Sequence, residues 1–139
     1  MIDRSVVKTW QVLVVDDDAD SLEVIRFTLT YHGAEVITAS SGKEAVEVLS
    51  SLRPSIIFLD LSMPGIDGWD LLKHIRRILH LEHTPVVALT AHAMKGDQER
   101  VMDAGFTFYI SKPFSPVTFV DDLLAMISAN GLSGLLDDQ

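Results

Sequence analysis

The sequence predicts an α/β fold built around one five-stranded parallel sheet, doubly wound by five helices. Five apolar runs of strand length alternate along the chain with five longer amphipathic segments, the alternation that produces helices packed on a mostly parallel sheet. Three of the runs are continuously aliphatic, as strands covered on both faces are. Polar and charged residues gather directly after the runs, at the ends where open sheets of this kind bind their ligands.

The first run, Val12–Val15, leads straight into Asp16, Asp17 and Asp18, and the helical segment after them should stop at Gly33. The second run, Ala34–Ala39 ("AEVITA"), alternates in polarity and reads as an edge strand. Ser41-Gly42-Lys43-Glu44 then opens a helix as a capping box, the Ser41 hydroxyl and the Glu44 carboxylate each satisfying an orphan backbone donor. The third run, Ser55–Leu59, ends on Asp60, and the helix after Gly68 places Leu71, Leu72, Ile75, Ile78 and Leu79 on one apolar face. The fourth run, Val86–Leu89, ends on Thr90. The segment "MKGDQERVMDAG" that follows carries few apolar anchors and should be the least firmly held helix, ending at Gly105. The last run, Thr107–Ile110, is short and partly polar, and precedes Lys112. Ser115-Pro116 reads as an N-cap and first helical position, opening a helix with Val120, Leu123, Leu124 and Ile127 inside. Continuous runs belong in the centre and alternating ones at the edges, which gives the strand order 2-1-3-4-5.

At 139 residues and 47% hydrophobic, the chain has ordinary single-domain size and buries roughly two-thirds of its unfolded surface. Residues 1–10 read as a lead-in, 11–129 as the domain, and 130–139 as a flexible tail. No apolar run approaches the roughly 18 residues of a membrane span, and no signal-peptide core opens the chain, so the expectation is a cytoplasmic protein without membrane contact. Cysteine is absent, which excludes disulfides and thiolate metal sites. The net charge of -9 argues against direct nucleic-acid binding. His74, His80 and His83 cluster loosely, without the further ligands of a zinc site.

In the predicted sheet Asp16, Asp17, Asp60, Thr90 and Lys112 converge on one crevice. Three carboxylates about 5 Å apart repel by roughly 3 kcal/mol per pair at an effective dielectric of about 20. Either the groups take up protons or a cation offsets them. An all-oxygen donor set suits Mg²⁺, with Mn²⁺ as the substitute. Lys112 and Thr90 add one cation and one donor for an anion such as a phosphoryl group. The bland readings are an N-cap for Asp18 and a half-buried edge-strand aromatic for Tyr109.

The segments "VLVVDDD", "IIFLDLSMPGIDG", "VVALTA" and "YISKPF", in order and with ordinary spacing from Val12 to Ile127, resemble the signatures of the receiver domain of bacterial two-component response regulators. The stretch "TAHAMKGD" is similar to the one in single-domain regulators of the cell-cycle type and in receivers of hybrid kinases. The resemblance implies a flavodoxin-like fold in which Asp60 is the phosphoacceptor for a phosphohistidine on a sensor histidine kinase or histidine phosphotransfer protein. It also implies Mg²⁺ held by Asp17, Asp60 and the Ser62 carbonyl, with Asp16 acting through water. Lys112 and Thr90 would meet the phosphoryl group. Tyr109 would turn with the fourth helix, fifth strand and fifth helix to change binding of a downstream protein. Ser62 and His92 would tune self-dephosphorylation, and Lys112-Pro113 would be cis. The chain is then a signalling phosphoacceptor rather than an enzyme with turnover. Two alternatives are a Mg²⁺-dependent phosphohydrolase of the haloacid-dehalogenase type, which wants an aspartate where Ser62 stands, and a phosphorylation-independent pseudo-receiver.

Overall fold

The strands form where the apolar runs lie: β1 Gln11–Val15, β2 Glu35–Ala39, β3 Ile56–Asp60, β4 Val86–Thr90 and β5 Phe108–Ser111. They build one parallel sheet in the order β2-β1-β3-β4-β5, as the sequence predicts. The computed structural model describes residues 4–91 and 95–136. The helices are α1 Ala19–Tyr31, α2 Gly42–Leu49, α3 Gly68–Arg77, α4 Lys95–Ala104 and α5 Phe119–Ala129. Among the described residues no helix is long and apolar enough to cross a membrane.

The two-residue period of a strand sends alternate side chains to opposite faces, so the aliphatic runs fill two cores at once. Val12, Val14, Ile56, Phe58, Val87 and Leu89 pack with Ile25 and Leu29 of α1 and with Phe119, Leu123 and Ile127 of α5. Leu13, Val15, Ile57, Leu59, Val86 and Ala88 pack on the other face with Ala45 and Leu49 of α2, Leu71, Leu72 and Ile75 of α3, and Val101 of α4. Every residue of β3 and β4 is buried, whereas β2 has one buried residue in five. Of the described side chains of α4, Val101 alone is buried, which fits the expectation of a lightly anchored helix.

Local chemistry sets the helix starts. Asp18 caps α1, accepting from the Asp20 amide at 3.2 Å and the Ser21 hydroxyl at 2.8 Å. Ser41 caps α2 through the Glu44 amide at 3.1 Å, while the Glu44 carboxylate reaches the amide and hydroxyl of Ser40. Asp67 caps α3 through the Asp70 amide at 2.9 Å.

Two expectations are corrected. The regular part of α5 begins at Phe119, with Thr118 at the N-cap and no side-chain cap bond. Ser115-Pro116 opens a preliminary turn in which the Ser115 carbonyl accepts from the Phe119 amide at 2.9 Å. Leu79 leaves the apolar face of α3: Ile78 turns extended at ψ 120°, and Leu79 stands 83% exposed in a short 3₁₀ turn. The described parts of the lead-in and tail are folded. Residues Arg4–Thr9 and Ser133–Leu136 form 3₁₀ turns, and Val6, Val7, Trp10 and Leu135 are buried in the α1/α5 core. The Trp10 indole Nε1 donates to the Leu135 carbonyl at 2.8 Å, and Arg4 makes a two-pronged bond to Asp121 at 2.7 and 2.6 Å. Burying the Trp10 ring removes a large apolar surface from water and joins the turn at residues 4–9 to the one at 133–136.

Candidate functional site

Register places the acids side by side. Val15 of β1 pairs with Leu59 of β3, so the residues that follow them, Asp16 and Asp60, emerge from neighbouring strands one spacing of about 4.8 Å apart. Asp17 follows in the turn before α1. One carboxylate oxygen from each of Asp16, Asp17 and Asp60 lies within 4.8 Å of the others. Among the described residues this is the one such set of His, Asp or Glu side chains.

The acids differ in exposure. Asp16 is fully buried and Asp60 nearly so, while Asp17 faces solvent. Asp16 Oδ1 accepts from the Asp18 amide at 2.9 Å, and Asp60 Oδ1 from the Ser62 amide at 3.2 Å. Lys112 reaches in from the segment after β5, its Nζ 2.8 Å from Asp16 Oδ2 and 3.5 Å from Asp60 Oδ1. The contact to Asp16 Oδ2 is an ion pair without hydrogen-bond angles, so that oxygen is buried with no directional partner. One ammonium therefore serves two buried carboxylates.

The electrostatics follow from this shortage of positive charge. Burial first, then the neighbouring Asp16 charge, pushes the Asp60 carboxyl up to about 7, against the opposing pull of the Ser62 amide and Lys112. Burial works to lower the Lys112 ammonium value, but Asp16 and Asp60 outweigh it and raise it. Asp18 is held below the usual carboxylate range, chiefly by the Ser21 hydroxyl, consistent with its role as a cap.

Thr90 ends β4 buried, and its carbonyl accepts from the Lys112 amide at 2.8 Å, which ties the two together across the β4–β5 edge. Tyr109 of β5 is half-buried against the α2/α3/α4 core. Ser62 is exposed on the loop after Asp60. The Lys112-Pro113 bond is cis. His92 lies outside the described residues. The structure thus brings Asp16, Asp17, Asp60, Thr90 and Lys112 to one end of the sheet, as their positions after the runs imply.

Sequence reasoning misses Gly68, the first residue of α3. A Cβ there would run into the Asp60 carbonyl oxygen and come within 2.9 Å of Leu61 Cα. The only sequence signal is a glycine placed directly after the Asp67 cap. Trp69, next in the chain, stands edge-on to Phe106 with ring centres 5.7 Å apart, and the Arg100 guanidinium lies over its ring at 5.1 Å.

Residues 12–124 match the family model described as the response regulator receiver domain. The polar-differentiation response regulator DivK of Brucella ovis is 35% identical over 115 residues, 83% of this chain and 94% of its own. The solved structure of the chemotaxis response regulator CheY4 of Vibrio cholerae superposes with a TM-score of 0.78 at 30% identity, covering 84% of this chain and 97% of that one. The receiver domain of a signal transduction histidine kinase from Syntrophus aciditrophicus gives 0.73 at 28% identity, covering 86% and 91%. Sequence signatures, strand order and relatives agree, and the chain belongs to the family of response regulator receiver domains.

Proposed function

We propose that this receiver takes up a phosphoryl group on Asp60. The observation that carries the reading is the shared cation: Lys112 Nζ lies 2.8 Å from Asp16 and 3.5 Å from Asp60 at the end of the central strands. A carboxylate oxygen of Asp60 attacks phosphorus in a phosphohistidine of a sensor kinase or a histidine phosphotransfer protein. The new P–O bond forms as the P–N bond breaks, and the imidazole leaves with the electron pair. Lys112 exchanges its contact with Asp60 for one with a phosphoryl oxygen, and the Thr90 hydroxyl binds another. Withdrawal of Thr90 toward the phosphoryl group leaves room for Tyr109 to turn inward, changing the surface of α4, β5 and α5 that a downstream protein meets.

Receiver domains bind Mg²⁺, and the donor set here fits it. The three carboxylates are all hard oxygen ligands within 4.8 Å, and the buried Asp16 Oδ2 is held by the Lys112 ammonium at 2.8 Å without a well-directed hydrogen bond. Asp17, Asp60 and the Ser62 carbonyl would hold the ion, with Asp16 behind them. Asp60 accepts phosphorus only as the carboxylate, and its value of about 7 leaves it partly protonated near neutral pH. Bound Mg²⁺ (or Mn²⁺) supplies the positive charge that keeps it ionised and offsets charge on the transferred group. Self-dephosphorylation would be tuned at Ser62 and His92. Ser62 in place of a second aspartate supports a phosphoacceptor over a phosphohydrolase.

Incubation with Mg²⁺ and acetyl phosphate is expected to add the mass of one phosphoryl group, removable by hydroxylamine as acyl phosphates are. Asp60→Asn should show no gain. A gain that survives this substitution, or one that resists hydroxylamine, overturns the assignment.

A further inference from the structure

The segment between Asp60 and α3 is pressed from two sides by backbone. On one side α3 begins with Gly68, buried against the strand end: an added Cβ would meet the Asp60 carbonyl oxygen, Leu61 Cα at 2.9 Å and the Asp60 carbonyl carbon at 3.0 Å. On the other side α2 begins with Gly42, also buried. A Cβ there would lie 2.6 Å from Ile66 Cβ, 2.7 Å from the Ile66 carbonyl oxygen and 2.9 Å from Ile66 Cγ2. Neither set of neighbours is the movable end of a flexible side chain. Neither glycine has a positive φ, so what each position requires is space, not conformational freedom.

We infer that Gly68 and Gly42 are positioning residues for the acceptor loop, fixing Asp60 and the Ser62 backbone between the first turns of two helices. The inference rests on the reading of Asp60 and Ser62 given above and extends it to residues that touch neither ion nor phosphoryl group. Loop position matters because the geometry at Asp60 is fine-grained. Asp60 Oδ1 is held by the Ser62 amide at 3.2 Å and stands 3.5 Å from Lys112 Nζ. A Cβ at Gly68 pushes directly on the backbone of Asp60, where a displacement of about 1 Å is enough to cost roughly 100-fold in rate. A Cβ at Gly42 pushes on Ile66, four residues beyond Ser62, and its effect on Asp60 is smaller. The arrangement also makes α2, which contributes no side chain to the crevice, part of what holds it.

The test compares Gly68→Ala and Gly42→Ala with Gly33→Ala in the full chain. Gly33 lies at the far end of α1 with φ 96°, and its Cβ would come 2.9 Å from Lys8 Cβ, so Gly33→Ala loses stability without touching the loop. Four quantities are read: unfolding free energy in urea, Mg²⁺ affinity by calorimetry, the amide NMR shifts of Leu61 and Ser62 without metal, and the rate of the acetyl phosphate reaction. Gly68→Ala is expected to shift both amides, weaken Mg²⁺ binding and slow phosphorylation about 100-fold. Gly42→Ala should do the same more mildly, and it decides the matter if Gly68→Ala does not fold. Gly33→Ala should lose stability and keep the other readouts. Unmoved amides and unchanged Mg²⁺ affinity in both loop variants overturn the inference. If the wild-type chain takes up no phosphoryl group, the reading of Asp60 fails while the amide shifts still decide whether the glycines position the loop.

Discussion

The ion pairs Lys112–Asp16 and Arg4–Asp121 are nearly equal in length and lie in opposite settings. Lys112 and Asp16 meet at 2.8 Å with the carboxylate fully buried, whereas Arg4 and Asp121 meet at 2.6 Å with both side chains more than half exposed. The exposed pair has better geometry, two parallel bonds from one guanidinium, and each partner lies in water when the pair opens. The buried pair has one ammonium for two carboxylates and an oxygen without a directional bond. Length does not measure worth. An exposed pair contributes little because water competes for both charges, while a buried charge deficit is costly and is kept where something else is meant to supply the missing charge.

Removing Lys112 should break this contrast most sharply. Lys112→Met leaves Asp16 and Asp60 without a cation and is expected to destabilise the metal-free protein by about 3 kcal/mol, seen as a lower urea midpoint at unchanged slope. Mg²⁺ should recover more stability in this variant than in the wild type. The converse change, Asp60→Asn, removes the charge in excess. Since folding raises the Asp60 value to about 7 from an ordinary 3.8, its contribution is intact at acid pH and is lost as pH rises through about 7. Without metal at about pH 8, Asp60→Asn should therefore be more stable than wild type by on the order of 2 kcal/mol, measured by the same denaturant titration.

At the chain ends, Trp10→Phe keeps most of the buried ring but leaves the Leu135 carbonyl without its 2.8 Å donor. A loss of about 1 kcal/mol is expected, with Mg²⁺ affinity unchanged. Arg4→Ala should have the smallest effect of the series, abolished by added salt because its partner is screened. A large loss there, or one that salt leaves unchanged, would contradict the small worth of this exposed pair.

What was legible in the sequence follows from which signals are local. Strand order could be read because burial on both faces writes itself into "VLVV", "IIFL" and "VVAL" as unbroken aliphatic runs, against the alternation of "AEVITA". The convergence of Asp16, Asp17, Asp60, Thr90 and Lys112 could be read because a parallel sheet puts all strand ends on one side. The capping role of Asp18 is legible from its place between a strand run and a helical segment. By contrast, the folding of both chain ends rests on Trp10 and Leu135, separated by 125 residues, and no periodicity announces such a contact. Leu79 continues the helical pattern of α3 in sequence yet lies beyond a backbone that has already turned extended. Ser115-Pro116 fits a cap locally, yet regular α5 begins only at Phe119, which packs in the core beside Phe58, ring centres 6.1 Å apart. Gly68 and Gly42 were silent because a close backbone approach leaves no mark except the glycine itself.

On the proposed reading, the crevice holds more buried negative charge than its own cation balances, and Mg²⁺ makes up the difference at Asp60. This balance of charge is tested most directly by the stability gap between Asp60→Asn and wild type, followed from about pH 5 to about pH 8 with and without Mg²⁺. The gap should widen as pH rises in the metal-free protein and close when Mg²⁺ is added. A gap that is constant with pH, or one that Mg²⁺ leaves in place, contradicts the account.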